Sequence, residues 1–138
     1  MPDIGLTHIA LTATDVDRSI AFYAKYARME VVHRRADAKT GTTVVWLSDR
    51  IRPFAIVFIS ASPVHAVLKP LTHLGVACAT REEVDRLCEE ARRDGVLIDG
   101  PTDSGQPVGY WAFLRDPDGH TLEISFGQEV ERSIVDGP

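Results

Sequence analysis

Leu71-Thr72-His73-Leu74-Gly75-Val76 repeats the pattern of Leu6-Thr7-His8-Ile9-Ala10-Leu11, and its histidine follows the first by 65 residues (73 − 8), close to half of the 138-residue chain. Each tripeptide Leu-Thr-His opens an apolar run, Ile9–Ala13 or Leu74–Cys78, and each run ends in a polar helix-start signal. A repeat of this length marks a duplicated supersecondary unit whose first strand carries a histidine. Two such strands meeting about a pseudo-two-fold would bring the imidazoles together, and paired imidazoles point to a metal.

Outward from each repeat the pattern continues. Residues 6–14 read as a strand and Asp15-Val16-Asp17-Arg18 as a helix start, capped by Asp15 or Thr14. Ile20, Tyr23 and Ala27 give that helix its apolar face. In the second half Thr80-Arg81-Glu82-Glu83 fits a capping box, and Val84, Leu87 and Ala91 form the matching face. Glu82–Arg86 and Glu89–Arg93 are spaced as i, i+4 pairs, and Asp94-Gly95 ends the helix. Three strand-like runs follow each helix: 30–34, 42–48 and 54–60, then 96–98, 110–115 and 120–127. Asp116-Pro117-Asp118-Gly119 is a hairpin turn.

The expected fold is therefore α+β. Two βαβββ modules form one domain over 1–138, with curved mixed sheets around a metal-binding cavity and helices outside. Module one spans about 4–61, a linker 62–70, module two about 71–127, and a polar tail 128–138. The tail, with its isolated Ile134-Val135, either packs on a dimer partner or frays.

Bulk properties narrow the class. A hydrophobic content of 44%, a charged content of 25% and a net charge of −5 describe a soluble globular domain without a basic stripe for nucleic acid. No apolar stretch approaches a membrane span, and the first fifteen residues lack signal-peptide order, so the expected location is cytoplasmic. Two cysteines, Cys78 and Cys88, do not make a disulfide scaffold and read as buried thiols.

Strand alternation picks out the chemistry. With His8 inward, Ala10 and Thr12 share its face; with His73 inward, Gly75 and Ala77 share its face. In the last strand Leu122, Ile124 and Phe126 make an apolar face, leaving Thr121, Glu123 and Ser125 on the cavity side. A carboxylate between branched aliphatics is costly unless it is paired or bound to a cation. Two imidazoles and one carboxylate form the facial triad that holds Fe(II) with open positions.

Leu-Thr-His-Ile-Ala-Leu, Asp-Arg-Ser-Ile-Ala-Phe-Tyr, Leu-Thr-His-Leu-Gly-Val and Phe-Leu-Arg-Asp-Pro-Asp-Gly-His-Thr-Leu-Glu-Ile resemble the vicinal oxygen chelate superfamily over about residues 4–127. That superfamily includes glyoxalase I, extradiol dioxygenases, methylmalonyl-CoA epimerase, and fosfomycin- and bleomycin-resistance proteins. The resemblance implies that His8, His73 and Glu123 are metal ligands. It also implies a fourth ligand position on the fourth strand, where Phe58 falls nearest and no register offers a strong ligand. This departure counts against the four-ligand lyases and epimerases. Phe113 stands where the extradiol enzymes carry a catalytic tyrosine, so Tyr110 is the nearest phenol and a weak catalytic candidate. Their acid–base histidine has only His33 and His65 as counterparts.

The resulting expectation is a metal-dependent enzyme that binds a small substrate through vicinal oxygens, with dioxygenase-type chemistry at the 2-His-1-Glu site. A glyoxalase-like lyase or isomerase is the alternative, and a non-catalytic drug-sequestering protein comes from another class. One divalent metal ion is expected per site, Fe(II) first, with Mn, Zn or Ni as alternatives. By resemblance the chain forms a homodimer. Trp46, Ile56, Phe58, Trp111 and Phe113 are the expected cavity walls, and Asp99–Gly109 is a loop near its mouth. Arg50, Arg52 and Arg115 read as solvated charges, and His120 as a turn residue.

Overall fold

The computed structural model describes residues 5–138; position 4, where the first module is expected to open, lies outside the described residues. The element order is β1 (His8–Ala13), α1 (Val16–Ala27), β2 (Glu30–Ala36), β3 (Thr43–Ser48) and β4 (Ala55–Ser60). It continues with β5 (Leu74–Ala77), α2 (Arg81–Asp94), β6 (Leu97–Asp103), β7 (Tyr110–Arg115), β8 (Thr121–Phe126) and α3 (Val130–Asp136). Among the described residues the fold is α+β, with two four-stranded mixed sheets and three helices. The chain divides into two compact units, one ending at Val67 and the other beginning at Leu68.

In the first unit the sheet order is β1-β4-β3-β2, and β1 runs parallel to β4. Asp15 caps α1, its Oδ1 accepting the backbone N–H groups of Asp17 at 3.0 Å and Arg18 at 3.4 Å. The buried stripe of α1 is Val16, Ser19, Phe22, Tyr23 and Tyr26, so the face turns away from the expected Ile20 and Ala27. Two more aromatic rings explain the rotation, because they bring more apolar area against the sheet than Ile20 and Ala27 do. That stripe packs with Leu11, Ala13, Val45, Leu47, Ile56 and Phe58 of the sheet, all buried. The linker segment is pinned to β1: the Thr12 hydroxyl accepts from the His65 backbone N–H at 2.7 Å and lies 3.2 Å from its carbonyl.

The second unit has the order β5-β8-β7-β6, with β5 parallel to β8. Thr80 caps α2 by accepting from the Glu83 backbone N–H at 3.1 Å, as its capping box requires, and Gly95 closes the helix in the left-handed region at φ 71. Val84, Leu87, Cys88 and Ala91 pack against Ala112, Leu114, Leu122 and Ile124. The surface ion pairs of α2 fall at i, i+3 instead of the expected i, i+4: Glu83 with Arg86 at 2.7 Å, Glu89 with Arg92, and Glu90 with Arg93 at 3.4 Å. Both spacings bring side chains together on a helix surface.

Two sequence expectations change here. β6 runs on to Asp103, so the first half of the expected 99–109 loop is strand. Its Gly100-Pro101 pair fits because β6 is an edge strand with register shifts between Asp99 and Thr102. Gly100, at φ 97, passes so close to β7 that a Cβ would stand 2.8 Å from the Trp111 carbonyl. The tail likewise holds regular structure. Val130–Asp136 form α3, with the backbone N–H of Ser133 reaching the Glu129 carbonyl at 3.0 Å.

Candidate metal and substrate site

The second unit assembles half of the expected site on one sheet face. Gly75 pairs with Glu123, Ala77 with Ser125, Phe113 with Glu123, and Trp111 with Ser125. Partners in register share a face, so His73, Gly75, Glu123, Phe113 and Trp111 lie together, opposite α2. The rings form a chain: His73 to Phe113 is 4.9 Å between centroids, and Phe113 to Trp111 is 4.7 Å. The Trp111 indole N–H donates to Ser104 Oγ at 2.9 Å, which ties the 104–109 turn to this wall.

Four local features fit this face to a cation. His73 Nδ1 stands 2.9 Å from the Pro70 carbonyl. A carbonyl only accepts, so Nδ1 carries the proton and Nε2 keeps its lone pair for a metal, the usual arrangement behind a metal-bound imidazole. Glu123 is buried at 8% exposure, and its polar neighbour is the Gln128 side-chain amide at 3.5 Å from Oε2. A carboxylate so enclosed with one long hydrogen bond calls for positive charge. Gly75 leaves room over it, since a Cβ there would meet Oε2 at 3.3 Å. Thr121, on the same face of β8, buries a hydroxyl with no hydrogen-bond partner. Among the described residues, no three His, Cys, Asp or Glu side chains cluster as a ready metal cage.

In the first unit His8 sits at the start of β1, exposed, with Nδ1 2.8 Å from the Thr7 hydroxyl. The register pairs His8 with Ala55, Ala10 with Val57, and Val57 with Trp46. The His8 face therefore includes Ala55, Val57 and Trp46. Phe58 and Ile56 lie on the other face. Phe58 is fully buried, and its ring is 5.2 Å from that of Tyr23 in α1. The expectation that Ile56 and Phe58 wall the cavity is thus corrected to a core role. The parallel between the units identifies the true counterpart of Glu123. Glu123 opposes the residue two after His73, and Val57 opposes the residue two after His8. Val57, an apolar residue, is therefore the positional counterpart of Glu123 in the first unit, in place of Phe58.

Tyr110 is also corrected. It pairs with Phe126, one residue out of phase with Trp111, and so points to α2. Its hydroxyl donates to Asp85, and the Arg81 guanidinium lies 3.8 Å from its ring centroid. The hydrogen bond to Asp85 holds the phenol above its ordinary value of 10.0. Tyr110 braces the helix and does not reach the His73 face.

The remaining residues take structural roles. Arg50 pairs with Glu30, Arg52 with Asp49, and Arg115 donates to the Gly95 carbonyl at 2.9 Å. His120 is completely buried, and its Nδ1 accepts the Leu68 backbone N–H at 3.0 Å. Burial pushes the Cys88 thiol up to about 11, which makes it inert. Alternation placed Gly75 on the His73 face, but its close approach to Glu123 and the place of Val57 were missed in the sequence. A glycine inside a strand is the signal of such an approach.

Comparisons with known proteins agree with this architecture. The Glyoxalase/Bleomycin resistance protein/Dioxygenase superfamily matches residues 5–124. An uncharacterized protein of Pseudomonas aeruginosa is 36% identical over 128 residues, covering 91% of this chain and 90% of that one. Among solved structures, a mutant of the fosfomycin resistance protein of Listeria monocytogenes, complexed with Mn(II) and a dihydroxypropylphosphonic acid, is similar at TM-score 0.73 and 21% identity, covering 94% of this chain and 97% of that one. The trypanothione-dependent glyoxalase I of Leishmania major gives 0.72 and 24%, covering 97% and 95%. An antibiotic-binding protein from a Streptomyces species gives 0.69 and 18%, covering 91% and 98%. By its sequence, from Gly5 to Ile124, the chain belongs to the glyoxalase, bleomycin resistance and dioxygenase superfamily.

Proposed function

We propose that the chain is a divalent-metal enzyme acting on a small molecule with adjacent oxygens, through a centre of His8, His73 and Glu123. Fe(II) is the first choice, with Mn, Zn or Ni as alternatives. The observation that carries this reading is that His73 and the buried Glu123 share one face of the second sheet, with the Pro70 carbonyl on Nδ1 leaving the His73 Nε2 free. When bound, the ion supplies a Lewis acid that stabilises charge developing on the substrate's two oxygens. The residues do the rest. Glu123 offers negative charge from a buried position, the two imidazoles offer neutral nitrogen, and Trp111 and Phe113 form an apolar wall that favours a flat substrate. Since His8 belongs to the first unit and His73 and Glu123 to the second, the reading includes a homodimer that can supply both sets.

Dioxygenase-type chemistry is the finer proposal, supported by Val57 at the fourth position, which leaves three protein ligands and open sites. A glyoxalase-like lyase or isomerase is the second reading, favoured by the hydrogen bond of Tyr110 to Asp85 of α2, which removes the phenol from the His73 face. Calorimetry with Mn(II), and with Fe(II) under anaerobic conditions, tests the centre. Wild type should bind one ion per chain, and His73→Ala and Glu123→Gln should each weaken binding at least about tenfold, about 1.4 kcal/mol. Equal affinity in all three proteins rejects the centre. Oxygen uptake with catechols by the iron-loaded protein supports the dioxygenase, while isomerisation of hemithioacetals without oxygen uptake supports the second reading. Tight binding without turnover indicates a sequestering protein.

A further inference from the structure

We propose that the His8-bearing face of the first sheet carries an anchor for an aromatic carboxylate, made by Trp46, His33 and Arg35. The proposal rests on the reading that this face meets substrate. Ala10, Val57, Trp46 and His33 form one row across the sheet through the pairings β1–β4, β4–β3 and β3–β2. They therefore share a face, and Arg35, two residues beyond His33 and paired with Val44, shares it too. Two strand spacings, about 10 Å, separate the Ala10 and Trp46 backbones, a gap that two fused rings can span.

The local chemistry is specific. Every other residue from Val44 to Ser48 is buried, yet Trp46 is 40% exposed. The His33 ring packs against its indole at a centroid distance of 4.6 Å. Arg35 Nη1 lies 3.0 Å from His33 Nε2. A guanidinium has no lone pair, so it donates and the imidazole accepts, which makes His33 the neutral Nδ1–H tautomer. This bond ties the exposed guanidinium to the ring that packs on the indole. No acidic partner of Arg35 occurs among the described residues. Its neighbour Arg34, on the opposite face, is satisfied by Asp17 of α1 at 2.7 Å. An exposed indole offers a stacking surface, and on the same face the guanidinium, whose Nη1 alone is engaged by His33, keeps N–H donors for a carboxylate. Together they select a flat ring bearing an acid group.

The test uses the full-length protein with chelator present, so that no metal contributes. Calorimetry compares 2-naphthoate with 2-naphthylmethanol, its uncharged counterpart. Wild type should bind the acid at least about tenfold more tightly than the alcohol. In Arg35→Gln that ratio should fall to near one with an unchanged unfolding midpoint, because Arg35 is exposed. In Trp46→Leu both probes should weaken together. Equal affinities in wild type, binding of neither probe, a ratio retained in Arg35→Gln, or unchanged binding in Trp46→Leu would each overturn the anchor. Loss of metal binding in His73→Ala leaves this result untouched, so the two readings fail separately.

Discussion

Gly75 stands directly across the parallel β5–β8 ladder from Glu123, so close that a Cβ at 75 would lie 3.3 Å from the carboxylate oxygen Oε2. The glycine therefore sets the space in which the carboxylate sits. Gly75→Val should push Glu123 aside and weaken Mn(II) binding by at least about tenfold. Its backbone φ is not left-handed, so the strand itself tolerates the substitution. Calorimetry on a folded Gly75→Val protein with wild-type metal affinity would separate Gly75 from the site.

Tyr110 gives a prediction of opposite character. Its hydrogen bond to Asp85 favours the protonated phenol in the folded state. With a folded pKa raised above 10.0, the contribution to stability is complete below pH 10 and is lost as pH rises through the folded value. Tyr110→Phe should cost about 1 kcal/mol or less at neutral pH. It should also show a smaller fall in stability above pH 10 than wild type, with metal affinity unchanged. Urea unfolding at pH 7 and pH 10.5 measures both effects.

The thiols should react in a fixed order. Cys88 is buried on α2 and its thiol is pushed up to about 11, whereas Cys78 is partly exposed. At pH 8, iodoacetamide should label Cys78 first and leave Cys88 untouched in the folded protein. Peptide mass spectrometry after timed quenching reads the order.

How much of this was legible in the sequence depends on the distance over which each signal acts. Caps at Asp15 and Thr80 and the Asp116–Gly119 turn act over three or four residues, and all appear as expected. The His73 and Glu123 faces followed from alternation within single strands. Phe58 was misassigned because its strand, Ala55–Ser60, is apolar on both faces, so alternation carries no parity signal. Only the pairing of Leu11 with Phe58 and the Tyr23 ring above it decide the direction. Tyr110 failed similarly, since proximity in sequence to Trp111 concealed the reversal of face between them. The α3 helix is short, without a side-chain cap, and nothing local announces it.

The contrast between Val57 and Phe58 provides the most discriminating prediction. Adjacent residues of β4 face opposite sides, Val57 beside Trp46 on the His8 face and Phe58 against Tyr23 in the core. Both are buried, so a glutamate at either position should destabilise the metal-free fold by several kcal/mol. Added Mn(II) should separate them. Val57→Glu places a carboxylate on the His8 face at the counterpart of Glu123, so a bound ion can offset its burial and thermal stability should recover. Phe58→Glu places it among the α1 aromatics, where no ion can reach, and its loss should be the same with and without metal. Phe58→Ala, which leaves a void without a charge, should cost about 3–5 kcal/mol under both conditions. Thermal unfolding of the three variants with and without Mn(II) reads the outcome. Metal rescue of Phe58→Glu, or none for a folded Val57→Glu, would reverse the assignment of the two faces of β4 and remove Val57 as the reason for a three-ligand centre.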